Sequence, residues 1–239
     1  MITGILYDKG DRAPVNQDAL CLESVLLRGK KELSMAVVCD GVGSLDQGER
    51  ISAMIASQMR TWFYGEVIDL AMKHKLSRNL TPSMTRMLHG IARNCRQITA
   101  QEKITLGSTM SAVIICGHRG YVYHAGDSRI YLIRKTTAQR ISTDDVRNGC
   151  LSACIGSGQF PHLHTRMLRL RRSDGVLLCS DGFYRMLDQE ALCGIMDAKK
   201  VSSERQLSSR LLSAAMLLRS RGEQDNISAL ALIVGKEQV

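Results

Sequence analysis

Short apolar runs of strand character recur along the whole chain, while helical periodicity arrives only in blocks. Ile2 to Tyr7, Ala19 to Leu27 and Ser34 to Cys39 open the sequence, separated by polar, glycine-containing turns, a pattern that predicts antiparallel sheet. Two helical faces follow, one through Ile51, Met54, Ile55, Met59 and Trp62, the next through Met84, Met87, Leu88, Ile91, Cys95 and Ile98. Strand character returns at Ser108 to Cys116, Tyr121 to Ala125 and Arg129 to Arg134. From Ile141 to Leu163 periodicity is lost and glycine and serine accumulate, as in an irregular surface excursion beside a site. Thr165 to Leu170, Gly175 to Cys179 and the buried run Ile227 to Val234 complete the strands, and a last helix uses Leu207, Leu211, Ala214, Ala215 and Leu218 before Gly222. Helices in blocks, with strands joined by tight turns, favour an α+β layered fold over a doubly wound parallel sheet.

With 239 residues, 44% of them hydrophobic, and no compositional break, the chain is expected to form one domain over residues 1–239. Its three prolines argue against a disordered linker or a proline-rich scaffold. Cys21, Cys39, Cys95, Cys116, Cys150, Cys154, Cys179 and Cys193 are scattered singly through apolar stretches, which points, for most of them, to buried thiols in a reducing cytoplasm. The N-terminus reaches Asp8 and Lys9 too soon for a signal peptide, and no run is long enough to span a membrane. Thirty-two basic against 23 acidic residues give a net charge of +9, compatible with nucleic acid, an anionic membrane or a phosphorylated partner. Nucleic-acid binding would need exposed aromatics among the basic residues, and the aromatic fraction is 4%.

The acids follow a pattern. Met35-Ala36-Val37-Val38-Cys39 runs into Asp40-Gly41, and Val176-Leu177-Leu178-Cys179-Ser180 into Asp181-Gly182. Gly126-Asp127-Ser128 interrupts two strands, and Asp225-Asn226 begins the last. Singly, each is an ordinary turn. Together, acids at the ends of core strands can gather on one sheet edge, where their repulsion calls for a hard cation such as magnesium or manganese rather than zinc.

These stretches, with Asn16-Gln17-Asp18-Ala19, Asp40-Gly41-Val42-Gly43 with Gly48-Glu49, Gly107-Ser108-Thr109, Gly126 to Tyr131, Leu178 to Gly182 and Asp225 to Ser228, resemble in order the motifs of the metal-dependent protein phosphatase 2C family, bacterial type. The resemblance implies an α-β-β-α sandwich of two antiparallel sheets flanked by helices. It also implies a centre of two Mn2+ or Mg2+ ions with room for a third, and serine/threonine phosphoprotein phosphatase activity by in-line attack of a bridging water. Asp40, Asp181 and Asp225 would form the catalytic set. Asp40 would bridge two ions with help from the Gly41 carbonyl, Asp181 and Asp225 would complete the second ion's shell, Asp127 would hold the third with Asp181, and Asp18 would support the centre. Arg12 would clamp the substrate phosphate. The implied partner is a phosphorylated protein, the target of a serine/threonine kinase; no nucleic acid and no membrane are expected, and the chain is expected to be a monomer.

Two departures from the family pattern matter. Ala13, Pro14 and Val15 separate Arg12 from Asn16, one residue more than usual, and Thr143-Asp144-Asp145-Val146 leads into a short glycine-rich flap ending near Gly158. Val42 stands where eukaryotic members carry histidine, so no general acid is assigned. The departures motivate an alternative, a catalytically weak or inactive adaptor of phosphatase fold that binds a kinase or phosphoprotein. His162 and His164 are expected to be surface residues rather than a second metal site. The +9 excess is expected away from the acids, where it would help collect phosphorylated segments.

Overall fold

A computed structural model describes residues 1–12, 14–29, 31–45, 47–158 and 160–235; Ala13, in the spacing after Arg12, lies outside them. Three strands, β1 (Ile2–Asp8), β2 (Asp18–Leu27) and β3 (Lys31–Asp40), come first. Helix α1 (Gly48–Trp62) runs through a π-helical turn, Phe63–Val67, into α2 (Ile68–Met72), and α3 (Leu76–Glu102) packs beside it. There follow β4 (Met110–Cys116), β5 (Arg119–Ala125), β6 (Arg129–Arg134), β7 (Thr137–Arg140), a small hairpin of β8 (Val146–Arg147) and β9 (Cys150–Leu151), β10 (His164–Arg169) and β11 (Gly175–Cys179). The chain closes with α4 (Asp181–Tyr184), α5 (Gln189–Ile195), α6 (Glu204–Ser220) and β12 (Ile227–Ile233).

Two five-stranded sheets face each other, in the orders β1-β12-β11-β6-β7 and β10-β5-β4-β3-β2. Every pairing is antiparallel. Because successive side chains alternate faces, each central strand serves two cores. Val37 and Cys39 of β3, Ala112 and Ile114 of β4 and Tyr121 and Tyr123 of β5 meet the helices α1 and α3. Their neighbours Ala36, Val38, Val113, Ile115 and Val122 meet Ile130, Leu132, Val176, Leu178, Leu230 and Leu232 of the opposite sheet. Leu177, Ala229, Ala231 and Ile233 pack outward against Leu207, Leu211 and Leu218 of α6. This is the α-β-β-α sandwich that the resemblance implies.

The helical blocks are larger than periodicity alone predicts. Helix α3 passes through Pro82 and extends back to Leu76. An interior proline costs about 3 kcal/mol or more; Leu80, Met84, Leu88 and Ile91, all buried against the sheet, offset it. Helix α5 escapes prediction because it is seven residues long, but Asp188 caps it by accepting a hydrogen bond from the Ala191 amide at 2.8 Å. No helix among the described residues is long and apolar enough to cross a membrane.

Candidate metal centre

The alternation that fills the space between the sheets also puts carboxylates at its open end. Asp18 and Asp40 lie directly opposite each other in the β2–β3 register. Asp18 shares the parity of Leu20 and Leu22, and Asp40 that of Ala36 and Val38, all of which line the inter-sheet core. From the facing sheet, Ser180 and Ser228 continue the rows Val176-Leu178 and Leu230-Leu232, so their hydroxyls reach the same mouth. Asp181 opens α4 immediately after β11, and Asp225 stands just before β12.

Close backbone packing holds these pieces. A Cβ on Gly41 would overlap the Gly48 backbone, and one on Gly182 would overlap the Asn226 carbonyl, so neither position tolerates a side chain. Gln17 ties the layers: its amide donates to Asn226 Oδ1 at 2.8 Å, and its carbonyl accepts from the Gly41 amide at 3.0 Å and from Ser52 Oγ of α1 at 2.6 Å. The Asp40 amide donates to Thr109 Oγ1 at 3.0 Å, and Thr109 reaches Ser128 beside Asp127.

Asp18 is 3% exposed, and neither of its oxygens finds a hydrogen-bond partner. Burial first, and then the charges of Asp181 and Asp225, push its carboxyl up to about 7, although the Ser228 and Ser180 hydroxyls favour the charged form. Burial and then Asp18, Asp181, Asp127 and Asp225 raise Asp40 well above the usual carboxylate range. Asp181 is pushed up to about 6 by burial, against the pull of Arg185 and with Asp127 and Asp225 adding to the rise. Asp127 is raised by burial, with Arg185 and Arg129 opposing. All five acids therefore stand in one electrostatic cluster, and it attracts cations.

Two arginines already answer it. Arg185, one helical turn after Asp181, donates to Asp181 Oδ2 and reaches Asp225 Oδ2 at 3.4 Å. Arg12 lies 3.6 Å from Asp225 Oδ2 with 69% of its side chain exposed. The sequence pattern did not single out Arg185; its i,i+4 spacing from Asp181 is the signal, usable only once a helix is known to begin there.

The donor set suits a hard divalent ion: it is a cluster of carboxylates, with both oxygens of Asp18 buried and without partners. As the side chains stand, however, no three acidic, histidine or cysteine groups among the described residues are gathered so as to hold an ion. Arg185 occupies oxygens of Asp181 and Asp225 that such an ion would share.

The flap beside the cluster is more ordered than its composition predicts. Asn148 and Gly149, with φ of 51° and 76°, close the β8–β9 hairpin as a two-residue turn. Asp145 accepts from the Gly126 amide at 2.9 Å and from His164 Nε2 at 2.8 Å, linking flap, Asp127 loop and β10. Asp144 takes Arg129 and Arg140. His162 is exposed, as expected, whereas His164 is partly buried on Asp145.

A family model described as protein phosphatase 2C matches residues 11–216. The serine/threonine protein phosphatase PstP of Mycobacterium tuberculosis is 27% identical over 146 residues, which cover 52% of this chain and 27% of PstP, so the chain spans about a quarter of that relative. The serine/threonine phosphatase stp of Listeria welshimeri is 22% identical over 228 residues, 86% of each chain. Among solved structures, PppA of Pseudomonas aeruginosa superposes with a TM-score of 0.75 at 23% identity, covering 96% of this chain and 95% of that one. The catalytic domain of PstP in complex with two manganese ions superposes at 0.71 and 20% identity, covering 97% of each. By the extent of the family match, and with a sandwich that carries the acids at its open end, the chain belongs to the protein phosphatase 2C family.

Proposed function

We propose that this protein is a Mn2+- or Mg2+-dependent serine/threonine phosphoprotein phosphatase, acting as a single catalytic unit in the cytoplasm on targets of a serine/threonine kinase. The observation that carries the reading is the convergence of Asp18 and Asp40 from one sheet with Asp181 and Asp225 from the other, with buried oxygens left unpartnered. In this reading Asp40 and the Gly41 carbonyl would hold two ions, Asp181 and Asp225 would serve the second, Asp127 with Asp181 would serve a third, and Asp18 would support the group. The chemistry such ions supply is a water deprotonated near neutral pH and neutralisation of phosphoryl charge, which suits direct in-line hydrolysis of a phosphomonoester.

The chain's own residues do the positioning. Arg12, paired loosely with Asp225 and largely exposed, can turn to take two phosphate oxygens with paired hydrogen bonds. Arg185, once released from Asp181 and Asp225, is a second cation within reach of the same anion. The Thr109–Ser128 hydrogen bond and the Asp145–Gly126 bond hold the Asp40 and Asp127 loops in place.

Release of phosphate from a phosphoserine peptide should require Mn2+ or Mg2+ and should vanish in Asp181→Asn; activity without a divalent ion would refute the reading. The adaptor alternative draws on one observation, the Arg185 bridge across Asp181 and Asp225. Phosphopeptide binding with no turnover at saturating manganese would select it.

A further inference from the structure

Antiparallel topology gives the sandwich two ends, and the charges are divided between them. The acids sit where β2 begins and where β3, β5 and β11 end. The opposite end is built of the returning turns, and each turn carries cations: Arg28 and Lys31 between β2 and β3, Arg119 after Gly117, Lys135 between β6 and β7, and Arg171 with Arg172 between β10 and β11. Both sheets contribute to this one end, since Arg134 of β6 donates to the Arg169 carbonyl of β10 at 2.7 Å.

At the acidic end five arginines are held by acids. Arg12, Arg129, Arg140, Arg185 and Arg219 are all ion-paired to aspartates. At the far end it is the acids, among the described residues, that are taken. Glu32 is taken by the Met1 amino group at 2.9 Å, and Asp174, nearly buried, by Arg134 and the Arg171 amide. The cations on the turns make no ion pair among the described residues; Arg119 has only a hydrogen bond to Ser77 Oγ at 3.1 Å.

Two of the cations at this end come from facing positions in the sheet. Arg119 and Arg169 are register partners in the β5–β10 pair, and like charges directly opposite each other destabilise a sheet. Beside the cations, Leu26 is 70% exposed and Met167 65% exposed, each close to the end of its strand. The surface is made of turn tips; clefts of about 620 and 320 Å3 lie away from it, against α1 and α3 and beside His124 and His164.

We infer that this end is a docking surface for an anionic lipid leaflet. Cations spread over the turns of both sheets, flanked by the exposed apolar side chains of Leu26 and Met167, match a plane of lipid phosphates over an apolar interior. Single-stranded nucleic acid would call for exposed aromatics, and the exposed large side chains beside these cations are aliphatic. Docking here would turn the carboxylate end, with its opening between the sheets, away from the bilayer and toward soluble phosphoproteins. It needs no spanning helix, and it revises the expectation, drawn from the missing span, that no membrane is engaged.

The test is co-sedimentation of the full chain with vesicles of phosphatidylcholine alone or with about 30% phosphatidylglycerol, at about 50 and about 300 mM salt, where screening is shorter-ranged. Binding should appear only with phosphatidylglycerol and fall at the higher salt. It should drop at least about tenfold in the paired variant Arg171→Glu with Arg172→Glu, at roughly fivefold per cation. Arg169→Glu separates binding from folding: it replaces a like-charge pair with an opposite one, so the variant should melt at a higher temperature than the wild type yet bind vesicles more weakly. Equal binding to both vesicles, or unchanged binding by both variants, would overturn the inference. So would tight binding to duplex DNA or polyglutamate at physiological salt with none to vesicles.

Discussion

Arg185 has more leverage on the site than any residue outside the acid cluster. An oxygen that accepts a guanidinium hydrogen bond is not available in the same direction to a divalent ion, so Arg185 and a metal compete for Asp181 and Asp225. A hydrogen bond between charged groups nets about 1.5–3 kcal/mol, and with 47% of the Arg185 side chain exposed, screening leaves roughly 1 kcal/mol. Arg185→Ala should therefore bind Mn2+ several-fold more tightly in a calorimetric titration, while its metal-free form melts earlier. Equal or weaker Mn2+ binding would contradict this. The acids themselves were legible because an aspartate after a buried strand is a local pattern. Arg185 was not, because Asp181-Gly182 reads as a turn and conceals the helix start. The surroundings of Asp18 were not legible either, since the Ser180 and Ser228 hydroxyls that face it come from the opposite sheet.

Among the elements, the long central strands were readable to within a few residues because each is bounded by a turn signal and buried along its length. The helical block was harder. Pro82 hides the first turns of α3, and the π-helical turn at Phe63–Val67 carries no sequence pattern of its own. The flap hairpin has the Asn148-Gly149 signal but only two residues on each side, too few to show alternation. What positions it is Asp145, held between the Gly126 amide and His164. His124, buried behind them, faces the Gly126 and Thr143 carbonyls at 3.0 Å each through Nε2, and burial lowers its pKa, so it serves as a neutral donor from that nitrogen. Asp145→Ala should cost roughly 1–3 kcal/mol of stability, the range for a lost bond to a charged group. Amide hydrogen exchange at Gly126 should quicken in the variant; unchanged protection there would show that the flap does not brace the Asp127 loop.

For the whole molecule, the side-chain parity that builds the inter-sheet core also forces carboxylates together at its mouth, and the fold bears that repulsion. In the unfolded chain these carboxyls ionise near 4, whereas folding pushes Asp181 up to about 6 and Asp18 up to about 7. Between those values the folded state keeps protons that the unfolded state has lost, so this contribution to stability falls as pH rises from about 4 to about 7. A tenfold difference in proton affinity between the two states is worth about 1.4 kcal/mol, and about 1 kcal/mol moves the melting point of a chain this size by 2–4 °C. From pH 5 to pH 8 that amounts to about 4 kcal/mol, so the metal-free protein should melt roughly 8–16 °C lower at pH 8 than at pH 5, with Mn2+ restoring the difference; a rising metal-free melting point would contradict the carboxylate cluster. The layered class was visible in the sequence because helices came in blocks, but the division of charge between two ends was not, since it follows from which turns the topology brings together. The most direct test of the central claim is a Mn2+ titration that follows phosphopeptide hydrolysis and calorimetric Mn2+ binding together, in the wild type and in Asp40→Asn. Hydrolysis should rise with metal occupancy in the wild type, and both should be lost together in the variant. Hydrolysis that persists in Asp40→Asn, or proceeds without a divalent ion, would contradict it.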